Sequence, residues 1–384
     1  MPSPPSPSRP GATTPRLFLF VGGGTGGHIF PTLAVAQKLR ARLGDQAHFR
    51  FLCSTRPIDT TILAREGVNF TPAPASPPSI RPRALLRFLG GWAPSVRLGR
   101  EAIGAGRKAG QHVTLIASGG FVAAPLVQAA RVEKCPILML NLDAVPGKAN
   151  RWIARHATRI LTTAPVAQTG WDRIPPIVRQ AALTTESPAA CRRALGLDPD
   201  MPTLLVTGGS QGAASINRFL AAFVRASAPA ITGWQVLHQT GGKPDDRDAT
   251  DVAAAYRQAR VPAVVLPFLT DMGRAWGAAD LCVCRAGAGN IGEAWATRTP
   301  CIFMPYPYHK DAHQRANAMP LVERGAGVLV HDMIEPEANL QEAGTALADL
   351  LGSESARAKL KAGLASLGPA NGAERVAQVA LELW

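Results

Sequence analysis

The chain has no long apolar segment. None of its apolar runs reaches the roughly 18 to 20 residues of a membrane-spanning helix, so no such helix is predicted. Its proline-rich start lacks the apolar core of a signal peptide, and residues 1–15 are predicted to form a disordered tail.

Cysteine is also scarce. The six cysteines show no zinc-ribbon spacing, and Cys282 and Cys284 alternate as residues of a strand do. This usage favours reduced, structural thiols in a cytoplasmic protein. No metal site is expected.

Acidic residues are scarce in the first half only. Residues 1–180 contain 23 Lys or Arg and 7 Asp or Glu, a formal charge of +16, whereas residues 181–384 carry −2. A positive field of this kind attracts nucleic acid, anionic lipid or a phosphorylated substrate. Because no nucleic-acid recognition motif is present, nucleic-acid binding is not expected.

Strand-like apolar runs alternate with helical patterns along the whole chain. Strands are predicted at residues 17–21, 49–53, 113–117, 136–141 and 159–163, the last closing the first sheet, and at 204–207, 235–239, 263–266, 281–284 and 301–304. Such alternation implies parallel sheets, and the length suits two domains. The predicted fold class is α/β, with two Rossmann-like parallel-sheet domains facing across a cleft. The predicted segments are a domain at 16–170, a linker at 171–190, a domain at 191–366, and a helical segment at 367–384 crossing back to the first domain.

Two glycine-rich turns occupy matching positions in the two halves. One spans residues 22–28 and the other residues 208–213, and each follows an apolar run and opens a helix. Such a turn directs free backbone N–H groups and a helix dipole at one point, which suits phosphate. A third turn precedes Glu293, which fits either a ribose ligand or a carboxylate on a helix surface.

The first turn also fits the dinucleotide fingerprint. That fingerprint needs a carboxylate at the end of the second strand, but Arg56 follows that strand and the next acid is Asp59. Arg56 fits a 2′-phosphate, so an NADP-dependent oxidoreductase stays open. His28, directly after the glycines, fits a helix cap and a catalytic base equally well.

Residues 79–108 mix large apolar side chains with arginines. This composition fits either a helix lying in an anionic lipid interface or a core helix with a solvated basic face. Gly90, Gly91 and Pro94 are expected to break the helix. The candidate membrane residues are Ile80, Leu85, Phe88, Leu89, Trp92, Arg81, Arg83 and Arg87.

A polar segment follows the last predicted strand. Its side chains include His309, Asp311, His313 and Gln314. No cysteine or second carboxylate completes a metal shell there, so hydrogen bonding to a sugar is the preferred interpretation.

The turn at 22–28 with the following Ile-Phe-Pro-Thr-Leu-Ala-Val-Ala resembles the opening signature of the MurG family. The resemblance continues through residues 119–125, 208–213, 284–287 and 317–320. It implies the GT-B fold and an inverting transfer of N-acetylglucosamine (GlcNAc) from UDP-GlcNAc to the MurNAc of undecaprenyl-pyrophosphoryl-MurNAc-pentapeptide. It also implies a peripheral enzyme at the cytoplasmic face of the inner membrane, with no cofactor or metal.

The resemblance assigns roles to individual residues. The implied donor-binding residues are Asn141, Asp143, Arg179, Ser210, Gln211, Gly212, Glu293, His313 and Gln314. The implied acceptor-binding residues are Thr25, Gly26, Gly27, His28 and Phe121. His28 is the first candidate for the base and Asp143 the second.

The chain departs from the family pattern at a few positions. Residues 140–143 read Leu-Asn-Leu-Asp where the family has His-Glu-Gln-Asn, Phe121 replaces a tyrosine, and Gly289 and Asn290 replace a Leu-Thr pair. These changes leave open a family member with another nucleotide-sugar or lipid acceptor, a UDP-GlcNAc 2-epimerase-like isomerase, or a non-catalytic binding module.

Overall fold

A computed structural model describes residues 14–24, 26–79, 81–209, 212–242, 247–308 and 311–384. The tail predicted at residues 1–15 therefore lies outside the described residues, except for Thr14 and Pro15. Contacts divide the chain into two compact units. The first contains the residues up to Leu140, Lys148–Arg159 and Ala377–Trp384, and the second contains Asn141–Gly147 and Ile160–Val376.

The first sheet has seven strands within the described residues, in the order β3-β2-β1-β4-β5-β6-β7. They are β1 (Arg16–Gly22), β2 (Ala47–Ser54), β3 (Phe70–Ala73), β4 (His112–Gly119), β5 (Ile137–Asn141), β6 (Arg159–Thr162) and β7 (Asp172–Arg173). The pairs described for this sheet are parallel, and Phe18 at its centre pairs with Phe49 and Thr114. The prediction that residues 159–163 close the sheet is wrong, because β7 pairs outside β6. The strand β7 consists of only two exposed polar residues, which is too short for a recognisable strand pattern in the sequence.

Helices follow the strands of this sheet as the alternation predicts. They are α1 (Gly26–Leu43), α2 (Pro57–Arg65), α3 (Pro82–Lys108), α4 (Ala123–Val132) and α5 (Lys148–Ala154).

Helix α3 is continuous, so the predicted break at its glycines and proline is wrong. A Cβ on Gly91 would lie 2.2 Å from the carbonyl oxygen of Pro74, and one on Gly99 would lie 2.7 Å from Cβ of Ala129. These glycines therefore allow close packing of the helix against its neighbours. Gly90 and Pro94 lie on the exposed face, where water can replace the hydrogen bond that proline removes.

The second sheet has six strands in the described chain, in the order β10-β9-β8-β11-β12-β13. They are β8 (Thr203–Thr207), β9 (Gln235–Gln239), β10 (Ala263–Leu266), β11 (Leu281–Cys284), β12 (Cys301–Phe303) and β13 (Val328–Leu329). All the pairings are parallel, as predicted. Along β8, Leu204 and Val206 enter one core cluster and Leu205 the other, so the sheet is buried on both faces.

The remaining helices surround this sheet and end the chain. They are α6 (Pro188–Ala194), α7 (Ala214–Ala226), α8 (Arg247–Gln258), α9 (Met272–Ala278), α10 (Ala288–Thr297), α11 (His313–Val322), α12 (Pro336–Asn339), α13 (Thr345–Gly352), α14 (Glu354–Ser366) and α15 (Gly372–Glu382).

The end of the chain is held by residues of the first unit. Arg16 donates a hydrogen bond to the carbonyl oxygen of Leu381, and the indole of Trp384 donates to Thr114. Among the described helices, none is both long enough and apolar enough to cross a membrane.

Candidate functional site

The glycine turn of the second unit connects β8 to α7. Gly212 has φ +73°, and a Cβ there would lie 2.2 Å from the carbonyl oxygen of Thr240. A Cβ on Gly208 would lie 2.2 Å from the carbonyl carbon of Gly212. The turn is therefore folded so tightly on itself and on residue 240 that only glycine fits at these two positions.

Neutral groups hold this turn. The Gly209 N–H donates to Oγ1 of Thr207, and the Gln239 amide donates to the Gly209 carbonyl at 3.1 Å. The α7 N-cap, Ala213, gives the helix no side-chain hydrogen bond. The first turn of α7 thus keeps backbone N–H groups available for an anion. Ser210 and Gln211, assigned to the donor from the sequence, lie outside the described residues.

A buried ionic group braces the start of α7. Arg285 lies 2.7 Å from Asp332 and also donates to Ser215, which in turn donates to Asp332. Burial acts to raise the pKa of Asp332, but hydrogen bonds from Ser215 and Arg285 hold that pKa below its ordinary value. The group therefore stays ionised and fixes the helix start against the segment after β13.

Glu293 lies on α10 and is nearly buried, with 13% of its side chain exposed. Its Oε2 accepts a 2.7 Å hydrogen bond from the Trp276 indole, and its Oε1 lies 3.9 Å from Nε of Arg179. Burial raises the pKa of Glu293, and Arg179 and Trp276 oppose that rise. The alternative of a carboxylate on a helix surface is wrong, because the side chain points into the unit.

The polar segment after β12 contributes two oriented side chains. Nδ1 of His313 lies 2.8 Å from Oδ1 of Asp311, and Gln314 accepts a hydrogen bond from the Tyr306 N–H. The side chains of His313 and Gln314 lie in the first turn of α11 and are half-buried. His309 lies outside the described residues.

Asp143 is tied to α11. The Asn317 amide donates to Oδ1 of Asp143 at 2.9 Å and accepts from the Ala144 N–H at 2.8 Å. Asn141 donates to the Asp143 carbonyl oxygen and to Thr162. The structure therefore brings Asn141 and Asp143 together, in a segment anchored by Asn317.

Charged side chains hold the glycine turn of the first unit. The buried carboxylate of Asp59 accepts from the Gly24 N–H at 2.7 Å and from the Ser54 hydroxyl. Arg56 donates to the Gly24 carbonyl at 3.0 Å, and its guanidinium lies 5.1 Å from the centre of the Phe121 ring. Arg56 thus brings a positive charge to the turn.

The predicted acceptor residues lie in this turn or next to it. Gly26 begins α1 and is buried, Gly27 is exposed, and His28 is half-buried. Phe121 lies next to the turn, because a Cβ on Gly24 would lie 3.2 Å from its ring. Thr25 lies outside the described residues.

The first two turns of α3 carry an exposed apolar face. Leu85, Leu86 and Leu89 are 41%, 69% and 58% exposed, and Phe88 stacks edge-on against Trp92. The neighbouring arginines 81, 83 and 87 are also exposed, whereas Ile80 lies outside the described residues. This end of the helix is therefore not a core helix, although its later turns are.

Two family models match the chain. The glycosyltransferase family 28 N-terminal domain matches residues 18–162, and the glycosyltransferase family 28 C-terminal domain matches residues 203–367. The chain belongs to glycosyltransferase family 28. The predicted two-domain α/β architecture is thereby confirmed.

Curated relatives of this family 28 glycosyltransferase match nearly its full length. The UDP-N-acetylglucosamine--N-acetylmuramyl-(pentapeptide) pyrophosphoryl-undecaprenol N-acetylglucosamine transferase of a Nocardioides species is 34% identical, covering 95% of this chain and 97% of the relative. The Geobacter sulfurreducens protein of the same name is 32% identical, covering 87% and 89%. The crystal structure of Acinetobacter baumannii MurG shares the fold, with a TM-score of 0.71 and 24% identity over 96% of this chain and all of that one.

Sequence reasoning gave no role to several residues of this family 28 site. Asp59 is the only acid between residues 46 and 65, a scarcity that could have marked it. Asn317 begins the segment 317–320 that carries part of the family resemblance, but its contact with Asp143 could not be predicted, and Asp332 left no trace, because their partners lie far away along the chain. The buried thiols of Cys282, Cys284 and Cys301 also converge.

Proposed function

We propose that the chain transfers GlcNAc from UDP-GlcNAc to the MurNAc unit of undecaprenyl-pyrophosphoryl-MurNAc-pentapeptide, the conversion of lipid I to lipid II. The observation that carries this proposal is the near full-length similarity to relatives that bear this activity in their names. The two glycine turns support it, since each presents backbone N–H groups to one anionic substrate.

We assign the donor diphosphate to the turn before α7, together with Ser210 and Gln211. Gly212 allows the close approach, and the uncapped helix start supplies N–H groups. Arg179 adds a positive charge as UDP departs. These groups meet the developing charge without a metal, so turnover should persist after divalent ions are chelated.

The rest of the donor is assigned to α10 and α11. The Trp276 indole orients the Glu293 carboxylate through Oε2, and Oε1, which faces Arg179, would accept from ribose hydroxyls. His313 and Gln314 project from the first turn of α11 and suit the hydroxyls of the sugar. Asn141 joins them through the segment that Asn317 anchors.

We assign the acceptor pyrophosphate to the turn of the first unit. Thr25, Gly26 and Gly27 would supply backbone donors at the start of α1, and Phe121 would form one wall. Arg56, which lies over Phe121, would contribute the positive charge.

His28 is the proposed base. It follows the acceptor turn directly and is the first candidate that the family resemblance gives, with Asp143 as the second. His28 would take the proton of the acceptor hydroxyl while the hydroxyl oxygen attacks the anomeric carbon of the donor sugar. UDP would leave from the opposite face, which gives a β-linkage.

The exposed face of α3 is the proposed membrane contact. Leu85, Leu89, Phe88 and Trp92 would enter the lipid interface with Ile80, while arginines 81, 83 and 87 would meet anionic headgroups. With this contact, the enzyme would lie peripherally on the cytoplasmic face of the inner membrane. We infer that residues 16–170 form the domain that binds the acceptor and the membrane, and that residues 191–366 form the domain that binds the donor. Residues 171–190 would be the linker between them, and residues 367–384 would return to the first domain.

The test is mass spectrometry of the products formed from UDP-GlcNAc and a short-chain lipid I. We expect acceptor mass to rise by one GlcNAc residue, and turnover to fall about 100-fold or more in His28→Ala. Asp143→Ala should retain more activity than His28→Ala. Consumption of UDP-GlcNAc without an acceptor product would point instead to an isomerase, and full activity of His28→Ala would remove it as the base.

A further inference from the structure

Three cysteine side chains converge on one face of the second sheet. Cys282 and Cys284 lie two residues apart on β11, so their side chains share a face, and Cys301 is the register partner of Cys282 on β12. The three sulfur atoms all lie within 4.8 Å of one another. This spacing lets all three sulfurs contact one central atom.

The surroundings of the three thiols are apolar. All three belong to the core cluster that also contains Trp276 and Phe303, and none is exposed to solvent. In the described residues, no carboxylate or imidazole joins the group as a further ligand. Any bound atom would therefore be three-coordinate and cut off from water.

Charge selects the occupant. All three sulfur atoms lie inside the apolar core cluster, where water cannot screen a charge. The adjacent Arg285 is paired with Asp332, which offsets its positive charge. Because an uncompensated charge is costly in an apolar core, a bound complex must be neutral.

Three thiolates form a neutral complex only with a trivalent centre. Monovalent copper would leave a net charge of −2 and zinc one of −1, and a structural zinc site has four ligands. We propose that Cys282, Cys284 and Cys301 form a binding site for a trivalent thiophilic metalloid, of which arsenic(III) is the representative.

The binding reaction balances without an oxidant. Arsenous acid loses its three hydroxyl groups, each of which leaves as water with one thiol proton. Three arsenic–sulfur bonds replace three arsenic–oxygen bonds, and no oxidation state changes.

The experiment is native mass spectrometry of the full chain with arsenite. Because the cluster is buried, the protein is both incubated while folded and refolded from denaturant in the presence of arsenite. We expect one arsenic to be gained with the loss of three protons. Attachment to a single thiol retains two hydroxyl groups and is heavier by two waters, so the two binding modes are distinguishable.

Matched alanine variants locate the site. Cys301→Ala should abolish the three-proton exchange, whereas Cys135→Ala, which removes a buried thiol from the first unit, should leave it intact. Arsenite should raise the melting temperature of the wild type and of Cys135→Ala only. The proposal is overturned if the refolded wild type gains no arsenic by three-proton exchange, if Cys301→Ala still does, or if only zinc is retained in parallel samples.

Discussion

The two glycine turns share a backbone plan but differ in what holds them. In the first unit, the Asp59 carboxylate and the Arg56 guanidinium grip the N–H and C=O of Gly24. In the second unit, the side chains of Thr207 and Gln239 do the same for Gly209.

The difference shows how a similar turn can be adapted to different substrates. A carboxylate beside an anion-binding turn opposes the anion, and the first unit offsets that charge with Arg56 and a strongly basic half-chain. In the second turn the side chains that bond Gly209 are neutral, and the nearby carboxylate of Asp332 is paired with Arg285. We therefore expect the first turn to depend on charged side chains and the second on close backbone packing.

In this comparison of the two turns, the largest effect is expected for Gly212→Ala in the second turn. Alanine would be strained at φ +73° and would contact the Thr240 carbonyl. We expect kcat/KM for UDP-GlcNAc to fall about 100-fold, equivalent to about 2.7 kcal/mol. Gly209→Ala is the control, because φ is +82° there but no atom of the described residues lies within 4 Å of the added Cβ. Equal losses in the two variants would show that packing does not dominate this turn.

Asp59→Asn tests the charged grip on the first turn. The amide would remove the charge that strengthens the hydrogen bond from Gly24 and would bury an N–H group where Oδ1 has no partner among the described residues. We expect KM for the lipid acceptor to rise about 10-fold while KM for UDP-GlcNAc stays constant. Asp45→Asn, at an exposed site in the same unit, should change neither. A rise confined to the donor KM would contradict the assignment of the two turns.

Glu293→Gln separates stability from donor binding. Burial raises the pKa of Glu293, so the folded state holds this proton more tightly and stability falls as pH rises from about 4.5 through the raised pKa. The melting temperature of the variant, relative to that of the wild type, should therefore increase as the pH rises above about 4.5, while donor KM rises several-fold.

Glu186→Gln is expected to change stability with pH in the opposite direction. A hydrogen bond from Arg274 lowers the pKa of the exposed Glu186, so its contribution is present above the ordinary pKa and lost as pH falls. The melting temperature of this variant should lose ground to the wild type as pH rises. If the melting temperatures of Glu293→Gln and Glu186→Gln changed in the same direction with pH relative to the wild type, the two carboxylates would not have the opposite pKa shifts inferred here.

The smallest effect is expected at the exposed face of α3. Leu86→Gln should weaken binding to vesicles containing anionic lipid about three- to five-fold, since one partly buried leucine contributes about 1 kcal/mol. Val132→Gln changes an apolar side chain that is 50% exposed on α4 of the same unit and should bind as the wild type does. Sedimentation with vesicles at two salt concentrations measures the apolar and the electrostatic contributions to binding. Equal losses of vesicle binding in Leu86→Gln and Val132→Gln would argue against a specific membrane-binding face.

Local patterns were sufficient for most of the fold. The bounds of β9, β10 and β11 match the sequence prediction, because each strand is a short segment between two helical patterns. The glycine turns were also visible, since each lies within a few residues. Helix α3 was misjudged because its glycines serve packing against distant residues, which a local rule for helix breaking does not include.

The amino-acid sequence alone determined the alternation of strands and helices, both phosphate-type turns, the uneven charge and the family resemblance, because each depends on neighbouring residues. Tertiary structure decided which groups meet: Asp59 with Gly24, Asn317 with Asp143, Glu293 with Trp276, and the three buried cysteines. Most of these partners lie many residues apart, and only the folded sheets bring them within bonding distance.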